Sequence, residues 1–193
     1  MSFALVISRV FEPLVLFIFI LVMVFVRAKL PLATALWQGG IILFVIILPP
    51  ILLLIRALKQ KKISNWDMSD RKQRVGALVV FLGFFAFGIF LLSLFREPVI
   101  TNFFLYMFGV FLLFFLVTLR YKMSGHLTGA AIWVFSVSSW FGWYTTLLFM
   151  ILPLLAWSRV TLKRHTLGQV LLGTVFGCVC GYIGIRFGYI PHY

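Results

Sequence analysis

Long apolar runs alternate with short polar connections along the whole chain. We interpret the runs as helices, because backbone groups in hydrocarbon must bond within their own segment and the runs lack the alternation of a membrane β-barrel. The second, third and seventh runs are long enough to cross about 30 Å of hydrocarbon, whereas the fifth and sixth are short. The pattern predicts an all-α integral membrane protein, a polytopic bundle of six to seven transmembrane helices. The predicted helices lie at about 10–26, 32–55, 75–95, 103–119, 126–141, 143–157 and 167–187.

The composition excludes an ordinary soluble domain. Hydrophobic residues make up 63% of the 193 residues and charged residues only 11%, against about 25% charged residues in soluble domains. The formal net charge is +13, from 17 Lys+Arg and 4 Asp+Glu. Because the basic residues lie in short connections between apolar runs, they indicate membrane topology, and we expect membrane lipids and no nucleic acid as partners.

The basic residues also predict the orientation in the membrane. With seven crossings, most Lys and Arg side chains fall on the side of the N-terminus, which the positive-inside rule assigns to the cytoplasm. The opposite side holds Arg27, Lys29, Arg96 and Arg186. We therefore expect a multi-pass protein of the cell membrane. The connections expected to face the cytoplasm are 56–74, 120–125 and 158–166.

Glycines recur every fourth residue in the last predicted helix, at Gly173, Gly177 and Gly181. This spacing lets another helix approach closely. Packing inside the bundle is the interpretation we favour. A homo-oligomer formed through this glycine-rich helix is the alternative.

Polar residues suited to chemistry gather on the predicted cytoplasmic side. His126 follows Ser124 and Gly125 at the start of the fifth predicted helix, and His165 follows Arg159 just before the seventh. Helix N-termini attract phosphate through unpaired N–H groups and a partial positive charge. A guanidinium offers a planar fork that matches phosphate oxygens.

A third connection on the same side ends with Arg71 and Arg74, which add positive charge to the expected site. Each of these residues alone is explained by topology or capping, but their convergence predicts an anion site. At a bound phosphate, one imidazole can act as nucleophile and the other as general acid and base, while arginines neutralise the phosphate oxygens. This chemistry needs no metal and no cofactor, and the only nearby carboxylates are Asp67, Asp70 and Glu12.

Two segments resemble signatures of one known family. Ser124-Gly125-His126 resembles the Pro-Ser-Gly-His signature of the type 2 phosphatidic acid phosphatase superfamily, which includes the vanadium haloperoxidases. The segment 158–165 resembles its third signature, in which Ser-Arg is followed after five residues by His and after three more by Asp. The resemblance covers about 65–187 and implies a helical core with its site at the membrane face.

The resemblance also implies the role of each matched residue. We accordingly divide the chain into two N-terminal membrane helices at 1–56 and a phosphatase-like core at 57–193. The nucleophile would be His165, the general acid His126, and the phosphate ligands Arg159, Ser124 and Gly125, with Arg74 and Arg71 as further candidates.

The chain departs from the family pattern most clearly at Gln169, which stands where the third signature has its aspartate. Four residues after His165 on a helix, Gln169 lies on the same face and can orient the imidazole, but it cannot neutralise an imidazolium. The same change in a serine protease triad costs about 10⁴ in turnover, and we expect a loss of about 10²–10⁴ here. Met123 replaces the proline of the second signature. The first signature is incomplete, with Arg74 as the candidate for its arginine.

These observations predict a metal-independent lipid phosphatase that acts on a phospholipid or isoprenoid phosphate through a phosphohistidine. A weakened or inactive relative that binds lipid phosphates, as a sensor, transporter or assembly factor, is the alternative. A lipid phosphotransferase with the same intermediate is a third hypothesis. Phenylalanines of the third and fourth predicted helices offer an apolar wall for the lipid chain, namely Phe81, Phe84, Phe85, Phe87, Phe103, Phe104, Phe108 and Phe111.

Overall fold

The computed structural model describes residues 2–68, 70–95 and 97–190, so Arg96 lies outside the described ranges. Within these ranges the regular structure is helical, which confirms the predicted all-α polytopic fold. The helices are α1 (Phe3–Val10), α2 (Pro13–Ala28), α3 (Leu32–Ile41), α4 (Leu48–Lys59), α5 (Arg71–Ser93), α6 (Pro98–Arg120), α7 (Gly125–Phe141), α8 (Ile151–Thr161) and α9 (Leu167–Arg186). A π-helical turn, Ile42–Ile47, joins α3 to α4, and a 3₁₀ segment, Trp143–Met150, precedes α8.

Six helical stretches of the described chain are long and apolar enough to cross a membrane, so the chain is a multi-pass membrane protein. With 17 residues, α7 is about 25 Å long, which is less than the thickness of bilayer hydrocarbon. The sixth predicted helix is longer than expected, because the 3₁₀ segment and α8 continue one another. The six stretches are Phe3–Ala28, Leu32–Lys59, Arg71–Ser93, Pro98–Arg120, Tyr144–Thr161 and Leu167–Arg186.

Prolines change the bounds of the first two predicted helices. The helix expected over 10–26 is α2, which starts at Pro13, and a further helix, α1, precedes it and ends at Val10, with a break at Phe11 and Glu12. The break occurs there because proline has no N–H to donate and disfavours helical geometry in the residue before it. Pro49 and Pro50 likewise leave carbonyls of the preceding turn without donors, and the helix widens there into the π-helical turn.

The chain forms two compact units, which we describe separately. The first comprises Met1–Arg27 with Met123–Tyr193, and the second comprises Ala28–Lys122. These boundaries differ from the division at residue 56 made from sequence. That division concerns which part of the chain resembles the family, and it stays a prediction. The first unit holds all the residues that match the two family signatures.

In the second unit, α5 and α6 pack antiparallel through aromatic rings. Phe85 lies between Phe81, 5.3 Å away between ring centroids, and Phe104, 5.4 Å away. Phe85, Phe103 and Phe104 are fully buried, whereas Phe87 is exposed. Part of the phenylalanine wall expected for a lipid chain therefore forms the core of this unit.

In the first unit, α7 and α9 pack closely and in parallel. A Cβ atom on Gly173 would lie 2.6 Å from the Ser124 carbonyl oxygen, and one on Gly177 would lie 2.6 Å from that of Thr128. Gly181 repeats this close approach farther along the helix. The glycines therefore serve packing inside the unit, as favoured above. A homo-oligomer stays a prediction and would use another face of α9.

The two N-terminal helices, α1 and α2, both pack against the other helices of this unit. Along α7, Pro13 faces Gly129, where an added Cβ atom would lie 3.6 Å from the Pro13 Cβ atom, and the Phe19 ring lies 5.7 Å from that of Trp133 between centroids, so α2 runs parallel to α7. At the C-terminal part of α8, the Ser158 hydroxyl donates to the Ala4 carbonyl at 2.6 Å, so α1 packs against α8. The break between α1 and α2 consequently lies beside the start of α7.

We predict that Gly177→Ala destabilises the protein by about 1–3 kcal/mol, as overpacking of a tight contact does. The added methyl group would meet the Thr128 carbonyl oxygen at 2.6 Å and the Ala131 Cβ atom at 2.7 Å, neither of which moves freely. Thermal unfolding in detergent micelles measures the effect. Gly83→Ala is the matched control, since a Cβ there meets nothing within 4 Å. Equal midpoints for the two variants would contradict the role of this contact.

Candidate active site

The first turn of α9 fixes the orientation of His165. Thr166 is the N-cap, and the Gln169 side chain returns to its backbone, with the Thr166 N–H donating to Oε1 at 3.3 Å. The same oxygen lies 3.0 Å from Nδ1 of His165. Because an amide oxygen only accepts, Nδ1 carries the proton, and in the neutral ring Nε2 carries the lone pair. The expected contact between Gln169 and His165 is therefore present, with the ring in the tautomer that a nucleophile needs.

The turn after α8 brings His165 close to the backbone of Arg159. The Arg159 carbonyl accepts hydrogen bonds from the Arg164 N–H at 3.1 Å and the His165 N–H at 3.4 Å. The Arg159 side chain is 2% exposed and donates from Nη1 to the Ser8 hydroxyl at 2.6 Å. A guanidinium stays protonated at any ordinary pH, so its burial places a fixed positive charge inside this unit.

Ser124 joins the start of α7 to the start of α9. Its N–H donates to the Gln169 carbonyl at 3.2 Å, so the two predicted signature segments are in direct contact. Ser124 is the N-cap of α7 and is fully buried, yet its hydroxyl makes no cap hydrogen bond and has no partner among the described residues. Buried hydroxyls are normally paired, so this one is available to a ligand oxygen or a water molecule.

His126 lies in the first turn of α7 and is 7% exposed. Its Nε2 atom is 3.4 Å from Oε2 of Glu12. The distance is that of an ion pair, but Nε2 makes no hydrogen bond within the described residues, so the two groups are close without being aligned. Glu12 comes from the break between α1 and α2.

The remaining predicted ligands, Arg71 and Arg74, belong to the second unit. Arg74 is buried and donates from Nη2 to the Asp67 carbonyl at 3.1 Å. Arg71 donates to the Leu119 carbonyl. Both arginines thus bind backbone within their own unit, and their part in phosphate binding stays a prediction.

Ser8 and Glu12 are the contacts that the reasoning from sequence missed. The sequence analysis names Glu12 only as one of three nearby carboxylates. Within the described ranges no three His, Cys, Asp or Glu side chains are grouped to hold a metal. A usable signal was present, however. Glu12 is a carboxylate inside an apolar stretch of 26 residues, and such residues usually face a functional partner.

The arrangement in the first unit suits a phosphate group. One buried guanidinium, two helix N-termini and a buried hydroxyl supply positive charge and donors, and an oriented imidazole supplies a lone pair. No protein-family model, curated protein or solved structure matches the chain. The proposals below therefore depend on these contacts and on the two signature-like segments.

We predict that Ser124→Ala leaves the stability of the ligand-free protein unchanged or raises it, because it removes a buried hydroxyl without a partner. The matched control is Ser136→Ala in the same helix, whose buried hydroxyl donates to the Ile132 carbonyl at 2.8 Å. The control should lose about 0.5–1.5 kcal/mol. Thermal unfolding in detergent compares the two. A larger loss for Ser124→Ala than for Ser136→Ala would show that the Ser124 hydroxyl is bonded within the protein.

Proposed function

We propose that the protein is a membrane lipid phosphatase that hydrolyses a phosphomonoester or diphosphate of a phospholipid or isoprenoid lipid through a phosphohistidine. The observation that carries the proposal is the hydrogen bond between Gln169 Oε1 and His165 Nδ1, since it leaves the lone pair on Nε2. The resemblance to the type 2 phosphatidic acid phosphatases supports the same assignment of the nucleophile.

In the first step of the proposed reaction, Nε2 of His165 attacks phosphorus and the bond from phosphorus to the lipid oxygen breaks. His126 gives a proton to that leaving oxygen. Arg159, the Ser124 hydroxyl and the N–H groups at the start of α7, where Gly125 leaves room for an anion, stabilise the negative charge on the three remaining phosphate oxygens. The products of this step are the lipid alcohol and a phosphohistidine.

In the second step, His126 takes a proton from water as the water oxygen attacks phosphorus. The bond between phosphorus and Nε2 of His165 breaks, which releases inorganic phosphate and restores the free imidazole. A lipid alcohol in place of water would make the same site a phosphotransferase. The proposed steps use no metal and no cofactor.

The neutral amide of Gln169 sets the expected rate. When Nε2 of His165 bonds to phosphorus while Nδ1 keeps its proton, the ring becomes positively charged. An aspartate would neutralise this charge, whereas an amide only orients the ring. We therefore propose a slow enzyme, and the same observation favours the second candidate, a non-catalytic relative that binds lipid phosphates with the same groups.

The membrane-spanning fold supports a lipid as the phosphate carrier. A substrate anchored in the bilayer reaches a site at the starts of α7 and α9 without leaving the membrane. The excess of Lys and Arg on one side further supports the cell membrane as the location, with the site loops on the cytoplasmic side.

We predict that detergent-purified protein releases phosphate from at least one of phosphatidate, phosphatidylglycerophosphate, farnesyl diphosphate or undecaprenyl diphosphate. His165→Ala should abolish release, because it removes the attacking nitrogen. Phosphate release is measured for both proteins, and the unfolding midpoint confirms that the variant is folded. Release that persists in His165→Ala excludes this nucleophile. No release by the folded wild type favours the non-catalytic binder.

Gln169→Asp should raise turnover by about 10–10³, since a carboxylate stabilises the charged phosphohistidine ring that an amide cannot. The matched control is Gln169→Asn, which has the shorter side chain without the charge. Steady-state turnover on the best substrate of the panel compares the three proteins. An unchanged or lower rate for Gln169→Asp would mean that the site is adapted to the amide.

A further inference from the structure

A carboxylate lies inside the apolar N-terminal segment. The stretch Phe3–Ala28 is apolar enough to cross a membrane, and Glu12 is its only acidic residue. An ionised side chain is costly to place in hydrocarbon, so it is expected to have a partner inside the protein. The partner seen here is His126, whose Nε2 lies 3.4 Å from Glu12 Oε2.

The break between α1 and α2 holds Glu12 in this place. Pro13 prevents the helix from continuing and faces Gly129, one turn after His126 on α7, where an added Cβ atom would lie 3.6 Å from the Pro13 Cβ atom. Next along α2, Leu16 is buried in the core cluster of this unit. The backbone on the C-terminal side of Glu12 is thus packed against α7 near the turn that carries His126.

The helix before the break contacts the other signature segment. Ser8, one turn before Glu12, accepts the hydrogen bond from Nη1 of Arg159 at 2.6 Å. Ser158 donates to the Ala4 carbonyl of the same helix. Two polar side chains of the α1–α2 elbow, defined here as residues 8–13, therefore contact the proposed general acid and the proposed phosphate ligand.

We infer that Glu12 is a positioning residue for His126. In the working site the small misalignment closes, so that the carboxylate accepts a hydrogen bond from Nε2–H and directs Nδ1 towards the lipid oxygen. Its negative charge stabilises the imidazolium that exists before protonation of the leaving oxygen and after deprotonation of water. This inference rests on the proposed function. It assigns a role to a residue outside the segments that resemble the family signatures.

The two histidines have partners of different charge, which agrees with two different roles. His165 faces an amide that orients a neutral ring, as a nucleophile requires. His126 lies 3.4 Å from a carboxylate, an arrangement that suits a group transferring protons to and from the substrate. Groups that do acid and base work in one site are commonly separated by their surroundings in this way.

The test compares Glu12→Gln with Glu97→Gln, the same change at the only other glutamate of the chain, in the second unit before α6. The rate of phosphoenzyme formation is measured in a single turnover, so that hydrolysis of the phosphohistidine does not enter. The substrates are octyl phosphate, whose alkoxide leaves poorly, and 4-nitrophenyl phosphate, whose phenolate leaves without protonation. A defect in general acid catalysis affects only the first.

We expect Glu12→Gln to slow the reaction of octyl phosphate by about 10–10²-fold and that of 4-nitrophenyl phosphate by less than about threefold. Glu12→Asp should recover part of the loss, and Glu97→Gln should behave as wild type. Equal losses on both substrates would mean a merely structural role. Rates equal to those of Glu97→Gln, or faster than wild type because the carboxylate had occupied the phosphate position, would each overturn the inference.

A separate measurement distinguishes failure of this inference from failure of the proposed function. If wild type and His165→Ala are equally inactive, the proposed function fails, and with it any catalytic role of Glu12. Imidazole ¹⁵N spectra then report the pairing directly, since the chain has only 3 histidines and the signals of His126 are assigned by their loss in His126→Asn. Signals that shift in Glu12→Gln establish the pairing, and signals that do not shift overturn it.

Discussion

The parallel contact between α7 and α9 is the constraint on which the site depends. Glycines on α9 let the Ser124 and Thr128 carbonyls of α7 approach to a distance that any Cβ would prevent. Because the helices are parallel, both N-termini lie at the same end, and the Ser124 N–H reaches the Gln169 carbonyl. Antiparallel helices would put one N-terminus and one C-terminus at that end, and their opposite partial charges would largely cancel its attraction for an anion.

Gln169 connects the packing of the unit with its chemistry. Its backbone carbonyl holds the start of α7, and its side chain caps α9 and orients His165. The Thr166 N–H and the imidazole N–H both donate to one oxygen of this neutral amide. Because this amide is uncharged, it does not supply the negative charge that would stabilise a phosphorylated imidazole.

The acidic group of this unit lies instead beside His126, on the N-terminal elbow. Ser8 and Glu12 belong to the N-terminal segment that the family resemblance leaves out, yet they contact Arg159 and His126. The buried guanidinium would be costly without a polar partner, and the Ser8 hydroxyl supplies one. The N-terminal helices are therefore part of the unit that holds the proposed active site and are not an appendage to it.

The sequence by itself determined the features that depend on neighbouring residues. Apolar run lengths predict the membrane helices, and the spacing of four residues predicts the contact between His165 and Gln169. The contact forms although His165 precedes the N-cap of α9, because the capping side chain of Gln169 reaches back to it. Only the tertiary structure decided which helix faces meet: the glycines of α9 against α7, and Ser8 and Glu12 against Arg159 and His126. The physical reason is that lipid-facing and protein-facing surfaces of a membrane helix are equally apolar. The hydrophobic pattern therefore predicts the helices but does not predict which helices pack together. Contacts between residues distant in sequence are defined only by the folded structure.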